Sequence, residues 1–214
     1  METEEFEYTP IIWKSGFQYP NMVRIEVPQD GNCFFHAILK AFYVPYRIGI
    51  SNKMPVDRLT LVKALREDLA KKLEMHIDSK DINSSTYYNT LSRGNLSSFA
   101  ASMPEYSLVN MQKTLRNGNG VDNIYNEFIS DQINKDIYLL DFEKQEPYIT
   151  GDDDEILHKN RDSVVIMHLN NHYELVGILH PNNTIQTYFG KSHPFIEAIK
   201  DRHRQLRSKN MGSK

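Results

Sequence analysis

The chain has one cysteine among its 214 residues, Cys33. No internal disulfide can therefore staple it, and a reducing compartment, the cytoplasm, is expected. Nowhere do apolar residues run for the roughly 18 positions a membrane span needs. The start, Met1-Glu2-Thr3-Glu4-Glu5, lacks the basic-then-apolar order of a signal peptide, so no membrane partner is expected. An excess of positive charge is missing too, since the net charge is -3. Nucleic acid is excluded as an expected partner, although the tail carries Arg202, Arg204, Arg207 and Lys209. Internal repeats and a regular strand-helix-strand rhythm are also absent, which favours an α+β sheet flanked by helices over a doubly wound one.

What is present centres on the lone cysteine. It stands in Asp30-Gly31-Asn32-Cys33-Phe34-Phe35-His36-Ala37, after the short strand expected over Met22 to Val27. Asp30-Gly31 is a turn pair and Asn32 a natural N-cap. Phe34, Ala37, Ile38, Ala41 and Phe42 then recur at helical spacing. Cys33 thus opens a helix, where unpaired backbone N–H groups gather positive potential. Such a setting can lower a thiol from about 8.5 to roughly 3.5–7.5, and the same N–H groups could hold an oxyanion. A lone cysteine is more often a buried structural residue; the turn and helix start point instead to a nucleophile.

Residues 1–20 are aromatic and irregular and read as an N-terminal arm across the core. A helix from Val56 carries Leu61, Leu65, Leu69 and Leu73 on one side; Lys63, Arg66, Glu67 and Lys71 are expected on its solvent face. Residues 78–119 hold few periodic signals and read as short helices under loops. A helix over Val121 to Ile133 feeds the strand Asp136–Asp141. Gly151-Asp152-Asp153-Asp154-Glu155 alternates carboxylates but lacks the glycine and distal glutamate of a calcium loop, so no metal is expected. Ser163–Leu169 and His172–Leu179 flank an Asn170-Asn171 turn as a hairpin. A third strand over Thr184 to Phe189 and a final helix from about Pro194 complete the pattern. The organisation expected is an arm (1–20), a catalytic domain (21–200) and a basic tail (201–214).

A cysteine nucleophile needs a base, and eight histidines compete for the role. His76, His158, His180, His193 and His203 fall in charged helices, the acidic connection or turns, where surface placement is the rule. His36 shares a side of the helix with Cys33 but points back along its own backbone. His172 opens a strand with Glu174 two residues on, so both side chains share a face. There a carboxylate can fix the imidazole tautomer and stabilise the imidazolium, with Tyr173 anchoring the other face. Without a thiol nearby, the same residues would read as a polar cluster at a hairpin mouth.

Asp30-Gly31-Asn32-Cys33-Phe34-Phe35-His36-Ala37, the helix-to-strand unit over Gly120 to Asp141, and Asn171-His172-Tyr173-Glu174-Leu175-Val176 together resemble the ovarian tumour (OTU) family of cysteine deubiquitinases. The similarity spans about Arg24 to Ile178. It implies a papain-like OTU fold with a small, mostly antiparallel sheet, no cofactor, and hydrolysis of the isopeptide or peptide bond at the C-terminus of ubiquitin or a ubiquitin-like modifier. By position it implies Cys33 as nucleophile, His172 as base and acid, and Glu174 as the orienting third member. Asp30 joins this catalytic group, and Asp30, Gly31, Asn32 and Cys33 shape the oxyanion turn. His36 stands where the family often has arginine, and Glu174 where aspartate or asparagine is commoner; the strand Arg24-Ile25-Glu26 is the other source of a third member. Asn171 and the acidic run Asp152, Asp153, Asp154 and Glu155 are the candidate contacts for the basic tail of ubiquitin. The rival readings are a papain-like polyprotein protease and a silent ubiquitin-binding module. A monomer is expected, and the Asn-, Ile- and Lys-rich composition would suit a virus or intracellular bacterium acting in host cytosol.

Overall fold

A computed structural model describes residues 6–148 and 154–211. Its strands are β1 (Tyr8–Pro10), β2 (Met22–Ile25), β3 (Ile50–Ser51), β4 (Met54–Pro55), β5 (Asp136–Asp141), β6 (Glu146–Pro147), β7 (Ser163–Leu169), β8 (His172–Leu179) and β9 (Ile185–Gln186). Its helices are α1 (Cys33–Phe42), α2 (Val44–Ile48), α3 (Arg58–Lys72), α4 (Tyr87–Thr90), α5 (Leu96–Ser102), α6 (Leu108–Arg116), α7 (Ile124–Ile133), α8 (Asp154–Leu157) and α9 (Pro194–Met211). The main sheet runs β1-β2-β8-β7-β5-β6 with β9 also on β8, while β3 and β4 form a separate hairpin. All its strand pairs are antiparallel except β5 and β7, which run parallel in register from Asp136 opposite Ser163 to Asp141 opposite His168. This is the mixed, mainly antiparallel α+β architecture read from the sequence.

Period two along the strands gives the sheet two apolar faces. Ile137, Leu139, Val164, Ile166 and Leu175 join one core with α1, α3, α6 and α7. Tyr138, Leu140, Val165, Met167, Val176 and Ile178 join the other, which Phe195, Ile196 and Ile199 of α9 cover together with Trp13 and Phe17. The N-terminal segment is therefore part of a core, and its three-residue strand β1 pairs with β2. Such a strand, ending in Pro10, is too short to show any period.

Several details depart from the sequence reading. The third strand after the hairpin shrinks to two residues, β9. Arg66, expected on the solvent face of α3, is 2% exposed. Val62, Arg66, Leu69 and Leu73 follow helical spacing and form the buried stripe, and a cation within it hid the pattern. His203, expected at the surface, is buried and stacks on His158 with ring centroids 5.7 Å apart. α9 runs without a break through the basic segment, where Arg202 pairs with Glu146. No described helix is long and apolar enough to cross a membrane.

Candidate active site

Cys33 is the first residue of α1, and the helix is seated by its buried run Phe34, Phe35, Ala37, Ile38 and Ala41. The turn before it has a conformation few residues would accept. Gly31 has φ +78°, and a Cβ there would lie 2.6 Å from the Gly118 carbonyl oxygen. Both the backbone and the close approach thus require glycine. Asp30 Oδ1 accepts from the Asn32 amide at 3.0 Å, and Oδ2 lies 3.2 Å from His36 Nε2. Burial disfavours the Asp30 carboxylate, but the Asn32 amide and His36 prevail and hold its pKa below the usual value.

His36 is 1% exposed, and its Nδ1 lies 2.7 Å from the Tyr46 hydroxyl. Both of its ring nitrogens are engaged, so it ties the turn to α1 and α2 and is not free to act as a base. Asn32 occupies the N-cap position without making a side-chain cap. Its Oδ1 accepts from Arg66 Nη1 at 3.0 Å instead, a partner invisible as long as Arg66 is read as a surface residue.

Sheet register brings the second half of the site to the first. β2 stops at Ile25, opposite Leu175, so residues 172–174 of β8 have only β7 beside them. The start of α1 fills the vacant side. The Tyr173 ring packs edge-on against Phe34 at 5.2 Å. Burial pushes the Cys33 thiol pKa up, while the backbone amides of Tyr173, Phe34 and Cys33 itself pull the other way. Burial wins. The depressed thiol expected from the helix start is thus not what the resting geometry produces, because Cys33 is only 7% exposed and desolvation outweighs the amides.

His172 and Glu174 share one face, as period two requires. His172 Nε2 lies 3.9 Å from Glu174 Oε1, an ion-pair approach longer than a hydrogen bond, and that nitrogen is buried with no hydrogen-bond partner. The other carboxylate oxygen, Oε2, accepts from Arg24 Nη1 at 3.0 Å. Arg24 pairs with Val176, and Glu174 is its diagonal neighbour on the same face. Burial lowers the His172 pKa, Glu174 and Glu26 raise it, and Arg24 lowers it further; the net shift is downward. At neutral pH the site therefore rests as a protonated thiol beside a neutral imidazole.

Cys33 and His172 line one cleft of about 470 Å³, with Gly31, Phe34, Gly120 and Val121 among its walls. Asn171 sits exposed on the same rim. Asp152 and Asp153 lie outside the described residues, and Asp154 and Glu155 open α8. Two contributors were absent from the sequence reading as site residues, Arg24 as the partner of Glu174 and Arg66 as the partner of Asn32. Among the described residues, no cluster of three or more His, Cys, Asp or Glu side chains is arranged to hold a metal ion.

No protein-family model matches the sequence, and no curated protein is similar to it in sequence. Among solved structures, the chain superposes on an OTU domain in complex with ubiquitin with a TM-score of 0.52 at 18% identity, covering 86% of this chain and 84% of that one. The fold is that of an OTU domain. Looser likenesses are to an OTU deubiquitinase from Wolbachia pipientis wMel (TM-score 0.45, 12% identity, 78% of this chain and 93% of that one) and the viral OTU domain protease from Taggert virus (TM-score 0.41, 14% identity, 85% and 97%). Within this OTU fold, Cys33 opens the helix that packs on β8 and His172 opens β8 itself.

Proposed function

We propose that the chain is a thiol hydrolase acting at the C-terminus of ubiquitin or a ubiquitin-like modifier. The observation that carries this reading is the joint placement of Cys33 and His172 in one cleft of an OTU fold, with the Glu174 carboxylate behind the imidazole. A module that only binds ubiquitin has no need of such a group. The neighbour solved with ubiquitin supports the choice of partner.

With His172 Nε2 turned toward Glu174, Nδ1 is the nitrogen that serves the thiol. His172 takes the Cys33 proton, and the thiolate attacks the carbonyl carbon of the modifier's terminal glycine. The tetrahedral oxyanion is stabilised by the backbone at the helix start. The Asn32 amide is committed to Asp30, so the Cys33 amide is the donor assigned from the turn. The intermediate collapses as His172 returns the proton to the departing lysine amine, and water then hydrolyses the thioester. Glu174 holds the imidazolium formed in between.

The test is reaction with ubiquitin and ubiquitin-like probes carrying a C-terminal electrophile. Wild type is expected to be labelled and Cys33→Ala not at all, with His172→Ala slowed by about a hundredfold or more. Absence of labelling with every modifier would overturn the reading.

A further inference from the structure

Arg66 is the largest fully buried polar side chain among the described residues, and the chemistry above makes no use of it. Its guanidinium is distributed over three segments. Nε donates to Leu115 O at 2.6 Å, Nη2 to Thr114 O at 2.8 Å and to Asn119 O at 2.7 Å, and Nη1 to Asn32 Oδ1 at 3.0 Å. Its Cζ also lies over the Phe35 ring, 4.5 Å from the centroid. Burial pulls its pKa down to about 10, with Asp30 pushing back, so it remains charged at neutral pH.

A buried cation is costly unless its donors are satisfied, and these acceptors were chosen from groups that themselves need partners. Thr114 and Leu115 are in the last turn of α6, where carbonyls have no partner within the helix. Asn119 lies in the loop that continues into the cleft wall at Gly120 and Val121. Asn32 immediately precedes the nucleophile and Phe35 follows it by two residues. The same turn and loop meet directly where Gly31 approaches Gly118.

We infer that Arg66 is a positioning residue, which through Asn32 and Phe35 sets the nucleophile turn and through Asn119 sets the opposite wall of the cleft. The inference rests on the thiol-hydrolase reading for its catalytic consequence. Its geometry demands a planar fork of donors, which lysine cannot supply from one point. A merely structural cation would tolerate that exchange far better than the site would.

The experiment uses the full chain with Arg66→Lys and Asn32→Ala, singly and together, each checked for a cooperative thermal transition. One readout is the pH profile of Cys33 alkylation by iodoacetamide, which needs no ubiquitin. The other is steady-state cleavage of ubiquitin carrying a fluorogenic C-terminal amide. Each single variant is expected to lose about tenfold or more in kcat with KM within about twofold. Its alkylation midpoint should move down toward that of an ordinary thiol, because the turn no longer holds the sulfur buried. Asp30 and Tyr173, which act on the thiol, and His172, which lines the same cleft, are unchanged throughout. The double variant should be no worse than Arg66→Lys alone.

A wild-type kcat and alkylation profile in Arg66→Lys overturns the inference, and so do additive losses, which would mean that Arg66 and Asn32 act separately. If Arg66→Lys does not fold, Asn32→Ala decides, and wild-type behaviour there overturns it. The hydrolase reading fails by a different signature, in which the wild type alkylates at Cys33 but does not cleave ubiquitin. The alkylation profiles then still decide the role of Arg66.

Discussion

At the scale of single residues, the site is governed by how Glu174 divides its two oxygens. One is held by Arg24 at 3.0 Å and the other faces His172 at 3.9 Å, so the longer glutamate side chain is anchored from the far side and stands short of a hydrogen bond to the ring. In the proposed mechanism the imidazole must be neutral to take the thiol proton, so activity is expected to fall as pH drops through the His172 pKa. Burial sets that pKa below the ordinary 6.5. The acid limb of kcat/KM, which reports the free enzyme, is therefore expected below 6.5. Glu174→Gln should move this limb to still lower pH and cost about tenfold or more in kcat. Arg24→Gln should move it upward, since it removes a cation that disfavours the imidazolium. Limbs that shift in the same direction for both variants would contradict the proposed roles of Glu174 and Arg24 beside His172.

At the scale of elements, the turn before Cys33 abuts Gly118 and is held by His36 and Arg66. Gly31→Ala must accommodate both a positive φ and a Cβ 2.6 Å from a carbonyl oxygen. The expected cost is about 1–3 kcal/mol for the backbone conformation alone, with a further loss as the loop is displaced. Urea denaturation measures the first. A drop in probe labelling that exceeds the unfolded fraction measures the displacement. Wild-type stability in Gly31→Ala would show that the turn has another conformation available.

For the molecule as a whole, the buried thiol and the depressed imidazole shape stability against pH in opposite directions. Burial raises Cys33 above the ordinary 9.0, so its contribution is present below that value and is lost as pH rises through the folded pKa. Burial lowers His172 below 6.5, so its contribution is present above that value and is lost as pH falls through the folded pKa. Asp30 behaves likewise in its lower range, where the Asn32 amide and His36 outweigh burial. Stability should therefore be greatest between the histidine and thiol ranges. Cys33→Ala should flatten the first part of the alkaline decline, leaving the later part to tyrosines such as Tyr173, which burial pushes up to about 12. Denaturant midpoints taken across pH for both proteins would reveal this, and an unchanged alkaline slope would show that the thiol is not the group responsible.

The sequence alone determined the local units, because their signals lie within a few residues. Examples are the turn into α1 at Cys33, the hairpin at Asn170-Asn171, and the common face of His172 and Glu174. It also carried the order of Cys and His that pointed to the OTU fold. The tertiary structure decided what those units meet. Whether the helix start activates the thiol depended on how deeply α1 is pressed against β8, and burial reversed the direction that the local turn implied. Whether Arg66 faces water depended on α6 and the Gly118 loop, about fifty residues away, covering it. Whether His36 could serve as a base depended on Tyr46 occupying its second nitrogen. Desolvation and buried hydrogen bonding depend on everything that surrounds a group. Helical and strand periods depend only on its chain neighbours, and for that reason the turn that opens α1 at Cys33 was legible in the chain while the surroundings of the thiol were not.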